Sequence, residues 1–357
     1  MSASNIPVKN IYYMLSYAFE RLTQSGFEKV GSEEFDNIHD LFAALLAIGI
    51  GYQLKHGLHR EYTVCRESLS TLRGKIDLAE SFRNRIRCIR KIACEFDEFS
   101  ENSILNQVIK TTVLLLIESK DVKPENKADL KKEMLFFSGI DTLDPFRINW
   151  PQIRFPRNGW TYHLLVGLCR FMLQGMLLSP GSGEQKLAAF ADDKAMSWLY
   201  ENFLLGYFRR HHSVLHPAAK EIRWALDEGS AAPPGMQSDI MLSSKKTKLI
   251  IDAKFYSRNM WAHFDRMTFS SSNIYQIFTY VKNESLQAPD HAVSGLVLYA
   301  RTADEIQPDA EFSMSGNKIS VKTLDLNQSF DGIRNQLDAI AQAVKEPEKS
   351  VPFDCGA

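Results

Sequence analysis

The chain has no pair of cysteines at CxxC spacing; its five (Cys65, Cys88, Cys94, Cys169, Cys355) are scattered. That excludes a zinc ribbon and a thioredoxin-type redox motif, and reduced thiols in a cytoplasmic protein are expected. No apolar run approaches the roughly 20 residues that span a bilayer. The opening MSASNIPVKNIYYMLSYAFERL is interrupted by Lys9, Asn10 and Glu20. It lacks the charge order and cleavage site of a signal peptide, so a soluble protein without membrane contact is expected. No G-x-x-x-x-G-K-[ST] loop occurs, and the nearest glycine cluster, Gly181-Ser182-Gly183, reads as a turn. The chain therefore has no visible cradle for a nucleotide's phosphates. Neither sign of charge is in excess, with 42 basic against 43 acidic residues. Contact with nucleic acid would have to use local basic patches. Internal repeats and low-complexity tracts are also absent.

What is there is ordinary globular material: 357 residues, 45% of them hydrophobic, enough for about two domains. Ile11, Met14, Leu15, Ala18 and Leu22 fall at helical spacing, as do Leu41, Leu45, Ile48 and Leu54. Strand-like pieces follow around 62–65, 75–78 and 92–96. Between the last two lies SFRNRIRCIRK, carrying Arg83, Arg85, Arg87 and Arg90 on what reads as a hairpin tip. Helix resumes over 103–118, with a solvated turn and helix over 119–133. INWPQIRFPRNGW (148–160), rich in proline and poor in periodicity, marks a boundary. Residues 1–158 are thus expected to form a mixed helical domain with a β-rich arm at about 60–99. From 159 to 357 the order is helices at 161–178 and 194–211, strands on both sides of Lys245-Lys246, a helix at 272–282, strands at 294–299 and 318–325, and a closing helix at 332–344. That order, with about four strands, predicts an α/β sandwich, and the whole an α/β (α+β) protein.

One stretch carries chemistry. In SDIMLSSKKTKLIIDAKFYS (238–257), an apolar run ends in Asp252-Ala253-Lys254. Side chains two apart on a strand share a face, so Asp252 and Lys254 project together. A hairpin centred on Lys245-Lys246 places Asp239 opposite Asp252, although Lys-Lys is poor chemistry for a tight primed turn and a longer loop remains open. Two carboxylates and an ammonium suit phosphodiester hydrolysis. Mg²⁺ takes oxygen ligands and needs only one or two carboxylates, and a lysine beside it stabilises the attacked phosphate. Asp-x-Lys alone is weak evidence: Asp121-Val122-Lys123 and Asp129-Leu130-Lys131 sit in polar surface. The residues themselves leave a metal site and a surface ion pair both open. Glu201, on the helix before the strands, either adds a ligand or faces solvent. Gln276 either orients water or phosphate or is ordinary polar exposure, on the face of its helix shared with Asn273 and Tyr280. His211, His212 and His216, without a cysteine or carboxylate at ligand spacing, read as a helix C-terminus favouring cations rather than zinc.

The order helix-Glu, strand-Asp, strand-Asp-x-Lys, helix-Gln resembles the PD-(D/E)xK nuclease superfamily. More specifically, IPVKNIYYMLSYAFE (6–20) resembles the opening signature of McrC, the nuclease subunit of McrBC-type modified-cytosine restriction systems. RGKIDL (73–78), CEFDEFSENSILNQVIKTTVLLLI (94–117), MSWLYENFLLGYFRR (196–210), IIDAKFY (250–256) and NIYQIFTYV (273–281) resemble further McrC blocks in order. The resemblance implies a restriction-endonuclease-like fold over 159–357, with Asp239, Asp252 and Lys254 catalytic and the two aspartates holding Mg²⁺. Glu201 and Gln276 match positions less settled in role. It also implies a McrB-like AAA+ GTPase hexamer as partner, which binds the GTP, and double-stranded DNA with modified cytosine as substrate. Docking would fall to the arm, with Arg83, Arg85, Arg87 and Arg90 meeting an acidic pore, a DNA backbone or only solvent. A stand-alone repair or recombination nuclease and a non-catalytic GTPase-activating adaptor are the alternatives.

Overall fold

The computed structural model describes residues 6–19, 35, 37–157, 159–177, 193–228, 233–256, 259, 261–263 and 266–345. Leu22, the expected turn at Gly181-Ser182-Gly183, and Cys355 lie outside them. In chain order come α1 (Val8–Ala18), α2 (Ile38–Lys55), β1 (Glu61–Leu69), β2 (Lys75–Ile76), α3 (Leu78–Ile86), β3 (Ile92–Ser100), α4 (Ile104–Glu118), α5 (Pro124–Met134) and α6 (Trp160–Leu177). Next are α7 (Asp193–His211), the short pairs β4 (Glu221–Ile222) and β5 (Met236–Gln237), then β6 (Ile240–Ser243) and β7 (Thr247–Lys254). The chain continues through β8 (Trp261–His263), β9 (Arg266–Thr268), α8 (Ser271–Gln287), β10 (Ala292–Ala300), β11 (Ala310–Met314), β12 (Asn317–Leu324) and α9 (Phe330–Lys345). No helix of the described residues is long and apolar enough to cross a membrane.

Contacts divide the chain into two compact units: Phe42–Leu173, and the residues through Leu41 joined with those from Gln174 onward. This division differs from the expected one at 158/159 in two ways: α1 joins the later residues by packing along α7, and α6 as far as Leu173 falls with Phe42 onward. Ile11, Met14 and Leu15 of α1 are buried. Tyr17 meets Phe203 and Tyr207 of α7 at ring separations of 5.7 and 5.5 Å. Gly206 makes the approach possible: a Cβ there would lie 2.2 Å from the Tyr17 carbonyl oxygen. Gly206→Ala is therefore expected to lower stability by about 1–3 kcal/mol, since two helix backbones must separate. Urea denaturation measures it, and an unchanged midpoint would contradict the close packing.

Within Phe42–Leu173, Phe42 and Phe171 stack at 5.3 Å. Buried Asn106 ties the start of α4 to what precedes it, its Nδ2 donating to the carbonyls of His59 and Glu101 at 2.9 and 2.7 Å. The arm is a three-stranded sheet, β1-β3-β2, in which β1 runs antiparallel to β3 from Glu61↔Ser100 to Leu69↔Ile92. Gly74 has φ 67°, and a Cβ there would sit 2.4 Å from the Glu95 carbonyl, so only glycine fits the entry to β2. The arginine stretch is not the expected hairpin tip. Asp77 accepts from the Glu80 N–H at 3.0 Å and so starts α3, which packs on β3. The strand-like pieces on either side suggested a hairpin; Leu78, Phe82 and Ile86, four apart, specify the helix. Those three side chains are 77%, 65% and 69% exposed, an apolar stripe facing outward.

In the second unit a five-stranded mixed sheet runs β11-β12-β10-β7-β6, one strand more than expected. β11, a short half-exposed edge strand whose large apolar side chains are Phe312 and Met314, gave little signal for a strand. β10 is parallel to both β7 and β12, while β6 and β11 are antiparallel to their neighbours. Ile277 and Val281 of α8 pack over Ile250, Val297 and Ile319 in one core. A Cβ at Gly295 would meet Ile277 and Val281 within 2.8 Å, so α8 lies close on the centre of the sheet. α7 and α9 also contact β7.

Candidate active site

The β6–β7 hairpin has the expected register. Ile240 faces Ile251 and Ser243 faces Lys248, so the next pair outward is Asp239 and Asp252. The turn is tight without primed geometry, since neither Lys245 nor Lys246 has positive φ. Ser244 closes it instead, its N–H donating to the Thr247 carbonyl at 2.8 Å and its Oγ accepting from the Thr247 N–H at 3.1 Å.

At the other end of the hairpin the charges gather. Asp252 is 1% exposed, and its Oδ1 has no hydrogen-bond partner. Its Oδ2 stands 2.9 Å from Lys254 Nζ, a close ion pair without hydrogen-bond alignment. Asp239 Oδ2 accepts from the Ala253 N–H at 2.8 Å, which pins the first carboxylate to the strand that carries the second. Lys254 Nζ also donates to Gln276 Oε1 at 3.2 Å, and Gln276 Nε2 donates to Tyr280 Oη at 3.0 Å. The Gln276 amide is thereby oriented with its acceptor toward the lysine.

Burial sets the electrostatics. It pushes the Asp252 carboxyl up to about 6, with Lys254 opposing and Asp239 reinforcing the shift. Asp239 is raised by burial, opposed by its bond from Ala253 and by Lys254. Glu201 rises to about 7 through burial first, then the negative charges of Asp239 and Asp252, against the pull of Lys254. For Lys254, burial favours the neutral form, but the Asp252 carboxylate outweighs it and holds the ammonium's pKa above its usual value. Several titratable groups displaced by burial and by one another at a strand end are a pattern found at functional sites.

Asp239, Asp252, Lys254 and Gln276 are thus brought together, and Glu201 stands within reach of their charges. Arg83, Arg85, Arg87 and Arg90 belong to the other compact unit. The face of α8 bearing Asn273, Gln276 and Tyr280 is not a solvent face: Asn273 and Tyr280 are buried. Asn273 Nδ2 donates to Tyr299 Oη at 2.7 Å, and Tyr256 Oη donates to Asn273 Oδ1 at 3.4 Å. Tyr256 and Tyr299 escaped the sequence reading; the only signal was their place at the ends of β7 and β10, which register pairs as Lys254↔Tyr299.

Among the described residues no group of three or more His, Cys, Asp or Glu side chains is placed to hold a metal. Mg²⁺ does not require one, because water and phosphate oxygens complete its octahedron around one or two carboxylates. The buried, unpartnered Oδ1 of Asp252 is an oxygen donor of the required kind, so the residues fit a hard divalent cation.

Residues 4–299 match the family described as McrBC 5-methylcytosine restriction system component. A relative from Escherichia coli (strain K12), the type IV methyl-directed restriction enzyme EcoKMcrBC, is 24% identical over 340 residues, 93% of this chain and 96% of the relative. A refined half-complex from a tetradecameric assembly of Thermococcus gammatolerans McrB AAA+ hexamers with bound McrC is 17% identical, with a TM-score of 0.47 over 94% of this chain and 76% of that one. The McrBC complex of the same organism aligns over 58% of this chain and 60% of its own, at 19% identity and a TM-score of 0.38. With the matched segment running from before α1 into β10, this chain belongs to the McrBC restriction-system component family.

Proposed function

We propose that the chain is the McrC-type endonuclease subunit of a GTP-dependent restriction complex, cutting DNA that contains modified cytosine with Mg²⁺ and stimulating the GTPase of a McrB-like AAA+ partner. The observation that carries the nuclease half is the convergence of Asp239, Asp252 and Lys254, with one buried Asp252 oxygen unpartnered. Family membership supports the rest. Asp239 and Asp252 would hold the cation, which when bound neutralises phosphate charge and lowers the pKa of a coordinated water. Lys254, kept protonated by Asp252, donates to a phosphate oxygen that gains charge as the nucleophile enters. Gln276 fixes where that ammonium points. Glu201, titrating near 7, takes up a proton at neutral pH. Co-purification with the AAA+ partner, followed by cleavage assays with and without GTP on methylated and unmethylated DNA, tests the whole. Cleavage by the chain alone, independent of GTP, would favour a stand-alone nuclease.

The arm is the docking element in this reading. Arg83 pairs with Glu80 at 2.7 Å, and Arg87 lies 3.9 Å from the same carboxylate, which leaves a net basic rim beside the stripe of Leu78, Phe82 and Ile86. Changing Arg83, Arg85, Arg87 and Arg90 to serine is expected to weaken partner binding by about tenfold or more and to flatten its salt dependence. Phe82→Ser should weaken it without altering that dependence. Affinities at two salt concentrations check both, and equal binding by all three proteins at low salt would move docking elsewhere.

A further inference from the structure

A cavity of about 870 Å³ opens in the second compact unit, bordered by α1, the end of α7 and the start of α9. Lys9, Arg210 and Arg334 line it together with His211, and Asp331 is the one carboxylate on its wall. Asp331 is spent on Arg334, 3.7 Å away, while Lys9 and Arg210 have no acidic partner among the described residues. Like charges gathered in one hollow repel unless an anion joins them. His211 registers that field: burial, then Arg334 and Arg210, drive its imidazole toward the neutral form, against the nearby carboxylate of Asp338.

The wall has further features suited to a phosphate ester. α9 begins at Phe330, so its positive dipole end borders the hollow, with the Gly332 N–H capped by Ser329 Oγ at 3.3 Å and those of Phe330 and Asp331 before it. Tyr13 and Phe330 stack at 4.3 Å, and both rings line the cavity, a flat apolar surface beside the cations. The frame is fixed: Asn10 Nδ2 donates to the carbonyls of Leu326 and Gln328 at 2.8 and 2.9 Å, holding the loop before α9 against α1. The Tyr17 hydroxyl is bonded to His211 Nε2 at 2.8 Å. None of this is used by the Asp239/Asp252/Lys254 site. Glu201 and Arg210 are nine positions apart on α7, and nine residues at 3.6 per turn leave them on opposite sides of the helix.

We propose that this cavity is a second ligand site, which takes the phosphoryl group of a nucleotide between Arg210, Arg334 and Lys9 and seats the attached sugar and base against Tyr13 and Phe330. The nucleotide is either free or part of a nucleic-acid strand, two sources with the same chemistry.

Binding of inorganic phosphate, deoxycytidine monophosphate and a short labelled DNA duplex, each with EDTA present, tests the proposal on the full chain. The comparison protein is Arg210→Ala/Arg334→Ala; both side chains are exposed, so the fold should persist, as circular dichroism would verify. The wild type should bind phosphate and the mononucleotide, and the double variant should bind them about tenfold more weakly or worse. The His211 ring signals in ¹H–¹⁵N spectra should move with the ligand in the wild type only. Weakened mononucleotide binding with unchanged duplex binding would assign the site to free nucleotides, and loss of both to a strand. If wild type and variant treat every probe alike, including no binding by either, the proposal is wrong.

Discussion

Asp252→Ala and Lys254→Ala should each reduce DNA cleavage by about a thousandfold or more, and each should leave partner binding and stimulated GTP hydrolysis at wild-type level. The size follows from removing a charge that acts on the reacting phosphate in a buried setting, where single electrostatic donors are worth about a hundredfold to a thousandfold. Loss of Asp252 also removes its buried, unpartnered Oδ1, the oxygen proposed to hold the cation. The separation of effects follows from the two compact units. β7 lies in one, and the arm, with Arg83 to Arg90 and the Leu78/Phe82/Ile86 stripe, lies in the other. Parallel assays of cleavage and GTP turnover on the same purified complexes decide it. A folded Asp252→Ala protein that no longer stimulates the GTPase would sink the separation.

Asp252→Asn should make the metal-free protein more stable at about pH 8, by on the order of 2 kcal/mol, and the gain should shrink to about half by about pH 5. Burial raises this carboxyl to about 6 from an ordinary 3.8. A carboxyl raised by folding binds protons more tightly in the native state, so its ionisation destabilises that state. The penalty is full above the folded value, shrinks as pH falls between about 6 and about 4, and vanishes below the unfolded value. Asparagine has no charge to bury and so escapes it at every pH. A displacement of about two pH units corresponds to about 3 kcal/mol at 1.36 kcal/mol per unit, reduced here because Lys254 loses an attractive neighbour. Lys254 retains Gln276 and the nearby Asp239. Denaturation of both proteins in EDTA at the two pH values measures the effect, and a gain that is absent at pH 8 or larger at pH 5 would refute it. The same mutation then raises stability and removes activity, as expected where charge is buried for function.

The reason this site could be read from sequence is that a hairpin is local. Fourteen positions of chain, two short apolar runs and a central Lys245-Lys246 fix the pairing of 239 with 252 almost alone, and the side-chain period of two does the rest. Gln276 and Glu201 were legible as candidates because helical periodicity tells which face is apolar. It does not tell which polar face is covered, and so Asn273 and Tyr280 looked exposed when they are buried. Tyr256 and Tyr299 were invisible for the opposite reason: their relation depends on a parallel pairing of β7 with β10, strands about 45 residues apart with no turn to set the register. The arm misled because strand-like pieces on both sides suggested a hairpin, although Leu78, Phe82 and Ile86 recur at every fourth residue. Asp77 with Glu80 three residues on was the cap signal that favoured the helix. The packing of α1 on α7 uses a close approach at Gly206, which carries no pattern at all.

The bonds from Asn10 to the carbonyls of Leu326 and Gln328 join residues 316 and 318 positions apart in the chain. On a ribosome adding roughly 5–20 residues per second, α1 emerges first and then waits for roughly 15 to 60 seconds before its partner loop exists. During that interval the contiguous segment Phe42–Leu173 is synthesised whole and can close on itself. Ile11, Met14, Leu15 and the buried tyrosines of α1 stay without their final cover meanwhile, and early pairing with the emerging α7 would be their natural protection. A chain assembled in this order cannot complete the frame between α1 and the start of α9 until the loop at Leu326–Gln328 has been made.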